Sequence, residues 1–307
     1  MDHDAIVIGG GPAGLAAATA LARSRRDVLV VDAGEPRNAP SEGAHNVLGH
    51  DGIKPQELLA RGRAEVASYG ATVLPGRVVS ADRLDEGFAV TLVDGMALTA
   101  RRLVLTAGVV DVLPAVPGLR EHWGHDVVHC PYCHGWEVRD TRIGVLLTSP
   151  LGMHQALLFS QLSDDLVVLT NGVELDETAR AQLDVLGAEV VDGAVAEVLG
   201  EERLSGVVLA GGQHLPLQTL VIGPRVEVRS EVVTALGLAV AEHPSTMGTF
   251  VPADPMTGAT AVPGVYAAGS ITDPPAQITA SAAAGTRAGA MANMDLIQAD
   301  LRERMSA

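Results

Sequence analysis

Cysteine is nearly missing from this chain: 307 residues contain two, Cys130 and Cys133, three positions apart. That excludes a disulfide-stapled fold and points instead to a catalytic or metal-binding pair, because a reducing compartment keeps idle thiols reduced. Long apolar runs are also missing. None reaches the roughly 18 to 20 residues a membrane span requires, so a soluble protein is expected. Basic residues are too few to balance the acids; the net charge is −16 and no basic stripe compensates. A polyanion would be repelled, which argues against nucleic acid as a partner. The first strand-like residues, Ala5 to Ile8, begin so near the initiator that a basic segment, an apolar region and a cleavage site have no room. A cytoplasmic protein is the expectation. Low-complexity sequence is absent too; the alanine-rich stretch 280–292 reads as a packed helix.

What is present is ordinary globular composition, 47% hydrophobic and 19% charged, in a chain long enough for two domains or for one inserted into another. The opening D-A-I-V-I-G-G-G-P-A-G-L-A-A-A passes from an apolar run of strand length into an alanine-rich helix. Gly9 permits a tight turn, Gly11 removes the side chain where a pyrophosphate must approach the backbone, and Gly14 lets helix and strand pack closely. The strand D-V-L-V-V-D follows and ends in Asp32, eighteen residues beyond Gly14, close to the usual offset of about 20 for the acid that takes a ribose hydroxyl. Strand, glycine loop, helix and acid together predict dinucleotide binding at the helix N-terminus. Asp32 would repel a 2′-phosphate, so FAD or NAD fits better than NADP.

From Arg142 the order of strand, turn, helix and strand repeats, but the glycine chemistry does not. The turn reads L-T-S-P-L-G over 147–152: Leu147 and Ser149 stand at the first two glycine positions and only Gly152 remains. Beyond the next strand come Glu174, Asp176 and Glu177, with no arginine cluster to take a 2′-phosphate. This second unit is expected to keep the fold and to have lost its nucleotide. Near the end, P-G-V-Y-A-A-G-S at 263–270 is another short strand leading into a small-residue helix from about Gln277 to Asn293. The economical architecture makes the two ends of the chain one doubly wound domain and the middle an insertion, with crossings at Pro114–Pro117 and around Pro244. The stretch from Met247 to Met256 carries no specific signal.

The cysteines lie in H-C-P-Y-C-H-G-W-E, residues 129–137. C-x-x-C-H matches haem attachment literally, but that chemistry normally requires export. A zinc site would need two more ligands, for which His125, His129 and His134 are available, though adjacent ligands crowd a tetrahedron. A dithiol/disulfide couple needs only a turn that brings the sulfurs together and a neighbour such as His134 or His129 that favours thiolate. The couple is favoured. Tyr132 and Trp136 flank it in a chain with 3% aromatics, as a substrate surface or as core packing.

The ordered motifs G-G-G-P-A-G, H-N-V-L-G (45–49), T-A-G (106–108) before P-x-x-P-G, C-P-Y-C-H-G and G-V-Y-A-A-G resemble the low-molecular-weight thioredoxin reductases over nearly the whole chain. Two departures narrow the resemblance. His134 replaces the acidic residue that this family carries after its second cysteine, and the NADPH loop with its arginines is lost. Both features are similar to the FAD-dependent dithiol oxidases that close disulfides in natural products such as gliotoxin and holomycin. The resemblance implies an α/β fold of two Rossmann-like three-layer domains, with the FAD domain (1–115 and 243–307) split by a degenerate NAD(P)-like module (116–242) that carries C-x-x-C. It also implies a homodimer, a small-molecule dithiol and O2 as reactants, and no metal.

By the same resemblance FAD would lie against Gly9, Gly11, Pro12, Ala13, Gly14, Asp32, Ala33, Asn46, Val79, Ala107, Gly108, Gly269, Ser270, Gln277 and Ile278. Ser270 stands where the family has aspartate or asparagine, and a serine still donates a hydrogen bond. Gln277 resembles the flavin-edge glutamine or merely neighbours a helix cap. Cys130 would exchange with substrate and Cys133 would face the flavin. His134 is the candidate acid/base because an unperturbed imidazole titrates near working pH; His129 is the second candidate, alongside simple packing. The competing readings are a disulfide reductase fed by NAD(P)H or another donor, and a flavin-bearing sensor.

Overall fold

The computed structural model describes residues 1–229 and 231–306. The chain divides into two compact units, one of 1–39, 54–110 and 226–307, the other of 40–53 and 111–225.

The first unit is built on a seven-stranded sheet. Thr72–Pro75, Val28–Asp32, His3–Ile8, Ala97–Leu105 and Val265–Ala267 run parallel, while Phe88–Leu92 and Val78–Arg83 extend the other half of Ala97–Leu105 as an antiparallel meander. The apolar run of the first strand serves both faces, as the two-residue period of a strand requires. Ala5 and Val7 pack among the helices, and Ile6 and Ile8 join the core on the other face with Leu29, Leu105 and Val226.

The helix Pro12–Arg23 starts at Pro12, whose missing amide costs nothing in a first turn. It packs on the C-terminal helix Ile278–Ser306 with the two backbones nearly touching: a Cβ at Gly285 would overlap the Ala13 carbonyl, and one at Gly289 would lie 2.5 Å from that of Ala17. The alanine runs in both helices are therefore contact faces. The last helix extends well past Asn293, where the sequence reading ended it. Its polar end is held by arginines from the sheet unit: Arg102 binds Asp295 through Nε at 2.7 Å and Nη2 at 3.1 Å, and Asp300 receives Arg26 at 2.8 Å and Arg101 at 2.6 Å. Tyr266 donates to the same Asp295, and burial, reinforced by that carboxylate, pushes its phenol up to about 12.

The second unit has a five-stranded parallel sheet in the order Glu189–Val191, Leu166–Leu169, Ile143–Leu146, Thr219–Ile222 and Val127–Val128. One face carries the helices Gly152–Phe159 and Glu177–Val185, the latter capped by Asp176, which accepts from the Ala179 amide at 2.7 Å. The other carries an antiparallel sheet of Val195–Gly200, Leu204–Leu209 and His214–Pro216. Together they give three layers around two apolar clusters.

The crossings differ from the expected 116 and 243. The second unit begins at Asp111 and ends at Arg225, because Val226, Val228, Val232, Val233, Leu236 and Leu238 are buried in the core of the first. Residues 40–53, expected in the first unit, belong to the second.

Candidate active site

In the first unit the glycine loop and two distant motifs converge at the carboxyl ends of the central strands. Gly9 takes φ +110, a left-handed region open to glycine, and a Cβ there would lie 2.6 Å from the Thr106 carbonyl oxygen. A Cβ at Gly14 would overlap the Gly9 carbonyl and stand 2.7 Å from Thr106 Oγ1. Thr106 Oγ1 itself donates to Gly9 O at 2.8 Å and Ile8 O at 3.0 Å. A Cβ at Gly11 would meet no atom of the chain within 4 Å. Asp32 Oδ1 accepts the amides of Gly10 at 3.2 Å and Gly34 at 3.1 Å, so the acid also shapes the loop. Gly269 approaches Ala13, and a Cβ at Gly108 would sit 3.2 Å from Ser270 Oγ. These residues converge around the start of Pro12–Arg23. Ala33 is exposed beyond Asp32, Val79 is half-buried on the meander, and Gln277 accepts the Ser281 amide at 2.8 Å just ahead of Ile278 and the last helix.

In the second unit, Cys130 and Cys133 are joined as a disulfide with Cα atoms 5.2 Å apart. They follow the edge strand Val127–Val128 and occupy the single turn Pro131–His134, whose N-cap is Cys130. The Cys130 carbonyl accepts the amides of Cys133 at 3.2 Å and His134 at 3.1 Å. Gly135 closes the turn in a place without room for a side chain: a Cβ would press on the Pro131 carbonyl and on Leu162. Tyr132 and Trp136 are 62% and 67% exposed, which removes the core-packing reading of both. The Arg139 guanidinium lies 4.0 Å above the Trp136 ring, a cation–π arrangement.

The segment 40–53 is fixed on this turn. Ser41 Oγ lies 3.0 Å from His134 Nε2, the Asn46 amide donates to the Tyr132 carbonyl at 2.9 Å, and His45 Nε2 faces Glu137 Oε1 at 3.4 Å. Asn46, also expected against the flavin, is bonded through its side chain to the cysteine turn. It holds φ +58, a left-handed conformation that asparagine adopts more readily than most residues. Behind the cysteines, Gln155 is 8% exposed and its Nε2 donates to His129 O at 2.8 Å and Ile222 O at 3.0 Å. It ties the residue before Cys130 to the sheet. Ser41 and Gln155 were not found in the sequence, which offers no local motif for either.

His134 is largely buried, and burial holds its imidazole below the ordinary value of 6.5; His45 and His125 act in the same sense and Glu137 against it. The unfolded chain therefore binds this proton more tightly than the folded one. Stability is lost as pH falls through 6.5 and below. Urea midpoints measured between about pH 8 and pH 5 should fall less steeply in His134→Gln than in the wild type, and parallel curves would remove the assignment.

Residues 3–285 match the pyridine nucleotide-disulphide oxidoreductase family. The chain belongs to that family. Thioredoxin reductase sirT of Leptosphaeria maculans is 31% identical over 98% of this chain and 96% of its own length. Thioredoxin reductase tcpT of Claviceps purpurea is 38% identical over 56% of each chain, and a probable thioredoxin reductase of Arthroderma benhamiae is matched over 44% of its length, so the chain spans about half of these two relatives. Among solved structures, HlmI superposes with a TM-score of 0.93 at 42% identity, covering 99% of this chain and 95% of that one. The TrxB protein of Bacillus anthracis gives 0.90 at 28% identity over 97% of this chain and 99% of its own.

The chain is thus thioredoxin reductase-like, and members of its family are flavoproteins. Its second Rossmann unit departs from a nucleotide-binding one in a specific way. Leu147, at the first glycine position, is buried, and its side chain fills the space beside Gly152, where a Cβ would come within 2.6 Å of Leu147 Cδ2. The turn closes by the Gly152 amide bonding Ser149 O at 3.0 Å. Ser149 stands where the first unit has Gly11, the position at which a phosphate approaches the backbone, and Leu147 belongs to the apolar core of its own unit.

Proposed function

We propose that this protein is an FAD-dependent dithiol oxidase. A small-molecule dithiol reduces the Cys130–Cys133 disulfide and leaves as a cyclic disulfide, and the enzyme is reoxidised at the expense of O2, which becomes hydrogen peroxide. The observation that carries the reading is the turn 147–152, where Leu147 and Ser149 stand at the first two glycine positions and buried Leu147 packs against Gly152, the one glycine left there. The resemblance of C-P-Y-C-H to the natural-product dithiol oxidases supports it.

The residues of the first unit fit FAD. Gly11 leaves backbone where pyrophosphate must approach, Gly9, Gly14 and Gly269 allow the close packing around it, Asp32 suits a ribose hydroxyl, and Ser270 beside Gly108 offers a donor. When bound, FAD supplies the two-electron acceptor for the cysteine pair. The chain's own part is thiol exchange. A substrate thiol gives its proton to a base as its sulfur bonds to Cys130; the Cys130–Cys133 bond breaks and its electron pair stays on Cys133. The second substrate thiol, deprotonated in turn, displaces Cys130, so two substrate protons and two electrons have left for one disulfide gained. His134, neutral because burial disfavours its charge, is the base at hand. By resemblance Cys133 then passes the electrons on, and the working form is a homodimer.

That sirT and tcpT are named thioredoxin reductases favours the other reading, a reductase drawing on NAD(P)H or another donor. Anaerobic mixing separates the two. Excess NADPH should leave the flavin absorbance of the purified holoprotein intact while dithiothreitol bleaches it; rapid bleaching by NADPH would overturn the oxidase reading.

A further inference from the structure

The His134 ring is used asymmetrically. Nε2 meets Ser41 Oγ at 3.0 Å, and Nδ1 is buried with no partner. A neutral imidazole has one N–H and one bare nitrogen, and the bond made by one nitrogen decides what the other is. If the serine hydroxyl donated to Nε2, the N–H would sit on Nδ1, a buried donor with nothing to receive it. If Nε2–H donates to Ser41 Oγ, Nδ1 is a buried lone pair instead. Orphaned buried N–H groups are rarer than under-satisfied acceptors, so the second arrangement is the stable one. It leaves Nδ1 able to take a proton.

We propose that Ser41 is the positioning residue of the acid/base, holding His134 as the Nε2–H tautomer with Nδ1 free to accept the substrate thiol's proton. The inference rests on the reading of His134 as that base. In the step it serves, the thiol S–H bond breaks, the proton goes to Nδ1, the sulfur electron pair forms the mixed disulfide, and the pair of the broken S–S bond remains on the leaving cysteine. The serine neither gains nor loses a proton. Its own position is secured by the rest of residues 40–53: Asn46 on the Tyr132 carbonyl, His45 between Asp51 at 3.0 Å and Glu137 at 3.4 Å, and Gly124 packed on Pro40 without room for a Cβ. The charged groups that bear on the ring are Glu137, which favours its protonation, and His45 and His125, which oppose it; Glu42 lies 3.7 Å from His125.

The test uses the holoprotein, dithiothreitol as substrate and peroxide as readout. General acid–base catalysis contributes about 10²- to 10⁴-fold. Loss of the tautomer lock in Ser41→Ala should cost part of that, about tenfold in kcat, with KM changed less than about twofold. Ser41→Thr, which keeps the hydroxyl, should recover most of it. Nitrogen NMR of the wild-type ring should show the N–H on Nε2, and Ser41→Ala should show both tautomers. Adding Ser41→Ala to His134→Ala should change nothing further. Wild-type N–H on Nδ1, or an unchanged kcat in Ser41→Ala, overturns the proposal. If His134→Ala itself keeps full kcat, the acid/base reading falls and this inference with it; if His134→Ala is impaired and Ser41→Ala is not, only the serine's role falls.

Discussion

Cys130→Ser and Cys133→Ser each reduce dithiol-dependent peroxide release to the level of the protein-free reaction. The expectation follows from there being no other sulfur couple: these are the only cysteines in the chain, and they are already bonded to each other. A substrate thiolate needs a disulfide to attack, and a lone cysteine beside a serine offers none. The fold should tolerate both changes, since the pair lies on one half-exposed turn whose backbone bonds run from the Cys130 carbonyl and not from the sulfurs. Thiol titration gives an internal check. The oxidised wild type should show no free thiol and each variant one per chain, with the flavin spectrum retained. Turnover persisting in either variant would remove the couple from the reaction and leave the disulfide a structural link, while loss of flavin in either would mean the turn matters for flavin binding.

Much of this was legible in the sequence because its signals are local. The glycine loop, the strand before it and Asp32 lie within one βαβ unit, and the structure brings them together as their spacing demands. The missing glycines at 147 and 149 are visible in the sequence, but that Leu147 packs on Gly152 within the core is a packing fact. The long helix was cut short at Asn293 because the following residues are charged, and charge reads as an end unless arginines 101 and 102 are known to lie alongside. Their partners are about 200 positions away in sequence. Residues 40–53 join the second unit through contacts of the same range: the Asn46 amide reaches Tyr132 across 86 positions, and Ser41 reaches His134 across 93. Interactions of that range leave no period and no spacing to read. The early return at Val226 is similar: a proline near 244 is a visible breaker, but a run of valines and leucines joins whichever core the fold presents.

Gly11→Ala and Gly14→Ala, three residues apart in one loop, should fail in opposite ways. At Gly11 the backbone has φ −77 and ψ −176, extended geometry that any residue adopts, and an added methyl meets no protein atom within 4 Å. Gly11→Ala should therefore fold with a thermal midpoint close to that of the wild-type apoprotein. What it should lose is the flavin, because the methyl stands where the pyrophosphate has to reach the backbone amides; a colourless protein of normal apo-stability is the expected product. At Gly14 the methyl would overlap the Gly9 carbonyl and crowd Thr106 Oγ1 at 2.7 Å, both of them held by Thr106's own hydrogen bonds to Gly9 and Ile8. Relief requires the helix Pro12–Arg23 to lift from the strand, and the helix cannot lift freely because Ala13 and Ala17 lie in backbone contact with Gly285 and Gly289. Overpacking of this kind costs about 1–3 kcal/mol or more, so Gly14→Ala should lower the apoprotein midpoint by several degrees and lose flavin as a consequence. Thermal melts of both apoproteins, with flavin content measured after reconstitution, separate the two effects. A flavin-replete Gly11→Ala would show that the pyrophosphate lies elsewhere, and an apo-stable Gly14→Ala would show that the loop has slack the packing denies.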